Sequence, residues 1–228
     1  YDNQARTTGT VYISTYSFAS FTNCKFYNNK APKQAGAIFG AQDSDVTISD
    51  CIFTENTAGT DGGAILCRGS FYMTNCQVEN NTAGGNGGGI ATGKCGIRGS
   101  KFQDGLVMTN VTVKDNTSGA QGGGLYLSTG CKTTMTDVQI TGNASALEGG
   151  AFWAVDDTTL HNVTATGNVA TAEGGAFFAN KGQLELVKGS VNLSENSAVY
   201  GGAIYVTISD MDLHNAVIEN NTAATNGG

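Results

Sequence analysis

Apolar and polar residues alternate along this chain in short runs that never take up helical spacing. Val46-Thr47-Ile48 and Met211-Asp212-Leu213 show the period of two expected of strands, and Cys51 to Phe53 and Val138 to Ile140 show it again. No stretch of about ten residues or more carries apolar positions at intervals of three and four, which excludes helical repeats. Ile48 to Cys51 is a step of three, which breaks strand alternation and predicts a bend near Asp50.

These runs recur as a repeat that covers the whole chain. One element is Gly-Gly-small-apolar: Gly62-Gly63-Ala64-Ile65, Gly149-Gly150-Ala151-Phe152, Gly174-Gly175-Ala176-Phe177 and Gly201-Gly202-Ala203-Ile204 are clear copies. The other ends in asparagine, at Asn29, Asn56, Asn81, Asn116, Asn143, Asn168, Asn196 and Asn221, spaced by 27, 25, 35, 27, 25, 28 and 25 residues. Asn3 starts the same series, and the one long interval holds an insertion at about 93–104. Each repeat reads as three short strands, with turns at Gly-Gly, at an Asn or Asp such as Asp50, and at the final Asn. The predicted fold is all-β, a right-handed single-stranded parallel β-helix of about eight coils, with residues 1–228 as one segment. Coils stacked about 4.8 Å apart make a rod on the order of 40 Å long.

Alternation then assigns faces. Ile38, Ile65, Ile90, Leu125, Phe152, Phe177 and Ile204 are predicted to form one interior column. Phe21, Ile48, Met73, Met108, Met135, Leu160 and Leu213 form a second. The ladder asparagines are expected to adopt left-handed backbone geometry and to hydrogen-bond amide to amide from coil to coil. The residue after each member of the first column points outward: Tyr12, Phe39, Leu66, Ala91, Tyr126, Trp153, Phe178 and Tyr205. That is a nearly continuous aromatic stripe, expected to be an exposed contact surface unless a register slip turns it into core.

Composition supports this picture and narrows the partners. There are 33 Gly and one Pro, and only 14% of residues are charged. A net charge of −7 leaves no basic footprint, so neither nucleic acid nor an anionic membrane surface is an expected partner. No apolar run approaches the roughly 20 residues that span a bilayer, so this segment is not expected to insert into one. Tyr1 falls in mid-coil and Gly228 where a strand should start, so the rod is expected to extend beyond this chain or to join further copies end to end.

Phe26 to Asn29, Phe53 to Asn56, Gly62 to Ile65 and Gly201 to Ile204 together resemble the repeat of the chlamydial polymorphic outer-membrane proteins. Later copies replace the Phe with Val113, Ile140, Ala165, Leu193 or Ile218. The resemblance implies an autotransporter adhesin passenger, displayed outside the cell or on its surface, with host-cell or glycan ligands. The unpaired ends and the outward stripe imply partners among neighbouring chains or further copies of this one.

The chemistry-bearing residues point away from catalysis. Glu148 and Glu173 precede Gly-Gly in adjacent coils, and carboxyl groups about 5 Å apart suit a retaining glycosidase. Asp61, Asn86 and Gln121 hold the same position, however, so it reads as a generally polar turn. Asp156-Asp157 is a second acidic pair, without the histidine and cationic partners of a polysaccharide hydrolase. His161 and His214 are two coils apart, too far to share a metal ion, so no metal and no cofactor is expected. Cys24, Cys51 and Cys76 share one inward position and read as apolar packing. Cys95 and Cys131 are candidates for a disulfide across neighbouring coils, and Cys67 is either free or paired with the insertion. Of the Asn-x-Ser/Thr sequons, Asn80, Asn110, Asn162, Asn192 and Asn220 are candidate glycan acceptors, whereas Asn116 and Asn143 sit on the buried ladder. The reading is a non-enzymatic structural or adhesive element, with a carbohydrate-active enzyme or a glycan-binding module as the alternative.

Overall fold

A computed structural model of the chain describes residues 2–95, 105–181, 183–188 and 190–227. The described part of the chain winds as a right-handed parallel β-helix with three sheets along its length. The coil that opens at Gly62 shows the plan. Its backbone turns at Gly62-Gly63, runs through Ile65–Cys67, swings past Arg68-Gly69 into the long strand Ser70–Glu79, and turns again into Thr82–Ala83. Each strand pairs in parallel with its equivalents in the coils before and after. The register Ile38↔Ile65↔Ile90↔Leu125↔Phe152↔Phe177↔Ile204 runs unbroken along the first sheet. The inserted segment lies largely at 96–104, outside the described residues.

Both interior columns form. Ile38, Ile65, Ile90, Leu125, Phe152 and Phe177 have no exposed surface, and Ile48, Met73, Met108, Met135 and Leu160 are equally enclosed. Phe21 and Ile204 are only partly buried, and Leu213 is 36% exposed, because these residues lie in the outermost described coils, where one flank lacks a stacked neighbour.

Two local expectations need correction. The bend at Asp50 does not divide one sheet from the next. Asp45–Ser49 and Ile52–Thr54 pair with the two halves of one strand, Ser70–Glu79, and so belong to one sheet. A single left-handed residue at Asp50, Asn75, Asn110, Asp137 or Asn162, with φ between 53° and 55°, shifts the alternation by one position while pairing continues on both sides. The sheet boundary lies instead at the loop after the short first strand. The second correction concerns the ladder. The left-handed residue is not the ladder asparagine but the one before it: Asn28, Glu55, Asn80, Asp115, Gly142, Gly167, Glu195 and Asn220. That residue absorbs the turn and points its side chain outward, which leaves the next one free to enter the core.

Inside, the asparagines form a continuous amide ladder. Asn116 is typical and has no exposed surface. Its Oδ1 accepts from the backbone N–H of Asn81 at 2.9 Å and from Asn81 Nδ2 at 3.0 Å. Its Nδ2 donates to Asn143 Oδ1 and to the Val78 carbonyl, both at 2.9 Å. All four hydrogen-bonding positions of the amide are therefore filled, each by a different coil from its own. The pattern runs from Asn3, whose Nδ2 reaches Asn29 Oδ1 at 2.8 Å, to Asn221, whose Oδ1 receives Asn196 Nδ2 at 2.9 Å.

The Gly-Gly corner is equally constrained. Gly62 has φ +69°. A Cβ on Gly63 would lie 1.9 Å from the Gly88 carbonyl oxygen, so no side chain fits there.

Replacing Asn116 with Ala would leave the buried Asn81 N–H without a partner and strip the Val78 carbonyl of one hydrogen bond. At about 1–3 kcal/mol for the orphaned group, Asn116→Ala should destabilise the fold by about 1–3 kcal/mol. Gln139→Ala, on the exposed face of the same sheet, should change stability by no more than about 0.5 kcal/mol. Urea unfolding of the two variants checks this, and equal effects would show that the ladder adds little.

Candidate functional site

The outward residues of the first sheet lie in a groove along the rod. Their rings stack: Tyr12 on Phe39 at 5.2 Å, Tyr126 on Trp153 at 4.7 Å, Trp153 on Phe178 at 6.0 Å and Phe178 on Tyr205 at 5.6 Å between centroids. Leu66 and Ala91 interrupt the column. The structure corrects the expectation that this stripe is open surface. Tyr12 is 59% exposed, but Phe39 is 5% and Trp153 8% exposed, and Leu66 and Phe178 are also buried. Tyr126 and Tyr205 are half-buried.

The cause is the Gly-Gly arch, which folds back beside the column. A Cβ on Gly62 would come within 3.1 Å of the Leu66 Cβ, and one on Gly201 within 3.1 Å of the Tyr205 Cβ. The polar residue before each Gly-Gly pair therefore becomes one wall of the groove. Glu148 shows the contact: its Oε2 accepts from Trp153 Nε1 at 3.0 Å and from Gln121 Nε2 at 2.7 Å. Arg68 stands on the opposite wall, its guanidinium 5.4 Å from the centre of the Phe39 ring and its Nη2 donating to Gln34 Oε1 at 3.1 Å. Glu173, the next member of the acidic wall, is pushed above the usual carboxylate range by loss of solvent and, secondarily, by the Glu148 charge.

The remaining candidates are placed as follows. Asp156 accepts the backbone N–H of Gly130, a loop contact between neighbouring coils. Among the described residues no group of three or more His, Cys, Asp or Glu is arranged to hold a metal ion. Cys95 and Cys131 are bonded as a disulfide with Cα atoms 5.1 Å apart. Cys24, Cys51 and Cys76 stack in the interior with free thiols, and the Cys24 and Cys51 N–H groups point at the sulfur of the next coil at 3.3 and 3.4 Å. Cys67 is free and buried. Among the sequons, Asn80, Asn110, Asn162 and Asn220 are exposed at left-handed corners, whereas Asn192 is half-buried with its Oδ1 enclosed. Asn110 Nδ2 is engaged by Asn75 Oδ1 at 2.9 Å and Asn162 Nδ2 by Asp137 Oδ1 at 2.6 Å, so glycan attachment at either would first break a corner contact.

Three parallel sheets around a closed core with an amide ladder define a right-handed β-helix solenoid. The chain belongs to the right-handed β-helix region family, whose model matches residues 3–170. Residues 190–207, which span Asn196 and Gly201 to Ile204, match the Chlamydia polymorphic membrane protein repeat. No curated protein and no solved structure matches the chain.

Burial pushes the Cys67 thiol up from 9.0 to about 11. The unfolded thiol ionises first as pH rises, so stability present below about pH 9 should fall as pH climbs towards 11. Two pH units correspond to about 2–3 kcal/mol. Comparing urea unfolding of the native chain and Cys67→Ala between about pH 8 and pH 10.5 isolates this contribution. Identical pH slopes for the two proteins would refute it.

Proposed function

We propose that this chain is the rigid, non-enzymatic rod of a cell-surface protein, a passenger-like segment that carries adhesive surfaces away from the membrane. The observation that carries this reading is the match of residues 190–207 to the polymorphic membrane protein repeat. The closed β-helix supports it, since a core continuous from coil to coil makes a stiff spacer with long lateral faces. The Cys95–Cys131 disulfide is in keeping with an oxidising, extracellular compartment. The partners proposed are neighbouring chains, further copies of this one in a filament, or host-cell and glycan ligands met along the groove. Antibodies raised against this chain should label intact cells of the source organism, and beads coated with it should adhere to host cells. Labelling only after permeabilisation would overturn surface display, and non-adherent beads would overturn adhesion.

A second reading, carbohydrate hydrolysis, has one observation in its favour. Glu148 is held by two hydrogen-bond donors while Glu173, one coil away, has a raised ionisation, a division of roles that retaining glycosidases use. Against it, Gln34, Asp61, Asn86 and Gln121 hold equivalent positions in other coils, and Trp153 uses Glu148 to close its own indole N–H. Incubation with pectic, alginate and glycosaminoglycan polymers is expected to release no reducing ends. Release that disappears in Glu173→Gln would reverse the choice between the two readings.

A further inference from the structure

Two aromatic side chains project into solvent where neither packing nor backbone preference asks for them. Tyr16 is 75% and Phe18 66% exposed. Tyr16 takes the third position of a four-residue turn, Ser14 to Ser17, closed by the Ser17 N–H on the Ser14 carbonyl at 3.2 Å. Its φ is +58°, a left-handed conformation that favours glycine or asparagine and disfavours a bulky side chain. The same turn recurs at Ser128 to Cys131, where Gly130 fills that position with φ +82°. Phe18 opens the following strand and faces outward, and its openness belongs to the position. Lys132 and Asp157, which precede Thr133 and Thr158 in the same register of inner coils, are exposed as well.

The next coil lays two carboxylates beside these rings. Asp45 pairs with Phe18 in register, so their backbones lie about 4.8 Å apart along the rod. Asp43 is the counterpart of Tyr16. It takes the third position of the turn Ala41 to Ser44, closed by the Ser44 N–H at 3.2 Å, and has φ +56°. The Asp45 N–H ties the two turns together by donating to the Ser17 carbonyl at 3.0 Å. Gln42 Nε2 donates to Asp43 Oδ1 at 3.2 Å, and among the described residues no cationic side chain pairs with Asp43. Arg68, next in that column, is engaged in the groove by Gln34 and the Phe39 ring. The face of an aromatic ring is its electronegative side. The corner thus presents two electronegative rings and two carboxylates, on a chain whose net charge is −7.

We propose that the corner of Tyr16, Phe18, Asp43 and Asp45 is a docking site for an arginine side chain of a basic polypeptide partner. The molecule already makes this kind of contact once within itself. Arg68 lays its guanidinium 5.4 Å from the centre of the Phe39 ring, while Gln34 Oε1 accepts from its Nη2 at 3.1 Å. At the Tyr16 corner the rings are open and the oxygens belong to carboxylates, so the guanidinium comes from outside. A planar guanidinium stacks on a ring and donates edgewise to a carboxylate at the same time. Lysine carries a compact, strongly hydrated charge with no planar face, so it gains less from the rings. A sugar or an apolar side chain would cover the rings and leave the negative field uncompensated. The site depends on these two coils alone, not on where the rod is displayed.

NMR titration of the isotope-labelled chain tests it, with acetyl-Gly-Arg-Gly amide, its lysine, citrulline and leucine counterparts, and methyl glucoside as probes. The arginine peptide should bind with a Kd on the order of 1 mM, as exposed cation–π and ion-pair contacts allow. It should shift amide signals around Tyr16 and Asp43. The lysine peptide should bind at least about threefold more weakly, and the three neutral probes at least about tenfold. Tyr16→Gly installs the residue that Gly130 shows in the same turn, so it should fold normally and weaken binding at least about threefold. Asp43→Asn keeps an acceptor for Gln42 and tolerates the left-handed corner, and it should weaken binding at least about twofold. Asp137→Asn, at a carboxylate corner stacked between Asn110 and Asn162, should leave binding unchanged. The proposal is overturned if the arginine peptide does not bind or shifts signals elsewhere on the rod. It is equally overturned if any other probe binds as tightly, or if binding is unchanged in either folded corner variant.

Discussion

Each buried asparagine amide in this rod is bonded to the asparagine of the next coil, and that requirement governs how much the rest of a coil can vary. Asn116 takes hydrogen bonds from Asn81 and gives one each to Asn143 and to the Val78 carbonyl. A residue added within a core strand would move every later side chain to the wrong face and break two amide contacts at once. Extra residues therefore fit only where the ladder does not count them, in the loops. The 35-residue interval between Asn81 and Asn116 illustrates this: their amides still meet at 3.0 Å, because the extra residues fall in the sequence between the strands Ile90–Thr92 and Leu106–Lys114 and lengthen neither.

The ladder fixes where the chain lies but not how the interior is filled, and the packing shows a second constraint. Each coil encloses a cross-section of similar size, so large residues trade places along it. The coil with Ile38 in the first column has Phe53 beside the ladder. The next has Ile65 with Phe71 and the smaller Val78. Further along, Phe152 enters the first column, and the position beside the ladder shrinks to Ala165. All of these residues are without exposed surface. Replacement of the repeat's Phe by Val113, Ile140 or Ala165 is thus not decay of the pattern, since volume is conserved per coil rather than per position.

This explains which parts of the molecule were legible in the sequence. Columns, ladder and pairing register follow from alternation and repeat length, because a one-residue error would invert whole strands. The corner geometry was harder to read. Asn80 and Asn81 are both asparagine, and nothing in composition says that the first takes the left-handed conformation and the second the core position. Glu55 before Asn56 and Asp115 before Asn116 held the clue, since a charged residue there must point outward. Alternation put Phe39 and Trp153 outside, correctly for direction, yet it carries no information on what lies above them. Their burial comes from the arch at Gly62 and its equivalents, a feature of three-dimensional path that a period of two cannot express.

Function follows the same division. A position that repeats in every coil is explained by stacking, whatever its chemistry, as with the Cys24, Cys51 and Cys76 column or the polar wall of Asp61, Asn86 and Gln121. Information about ligands must then reside where a coil departs from its neighbours in a way that stacking does not require.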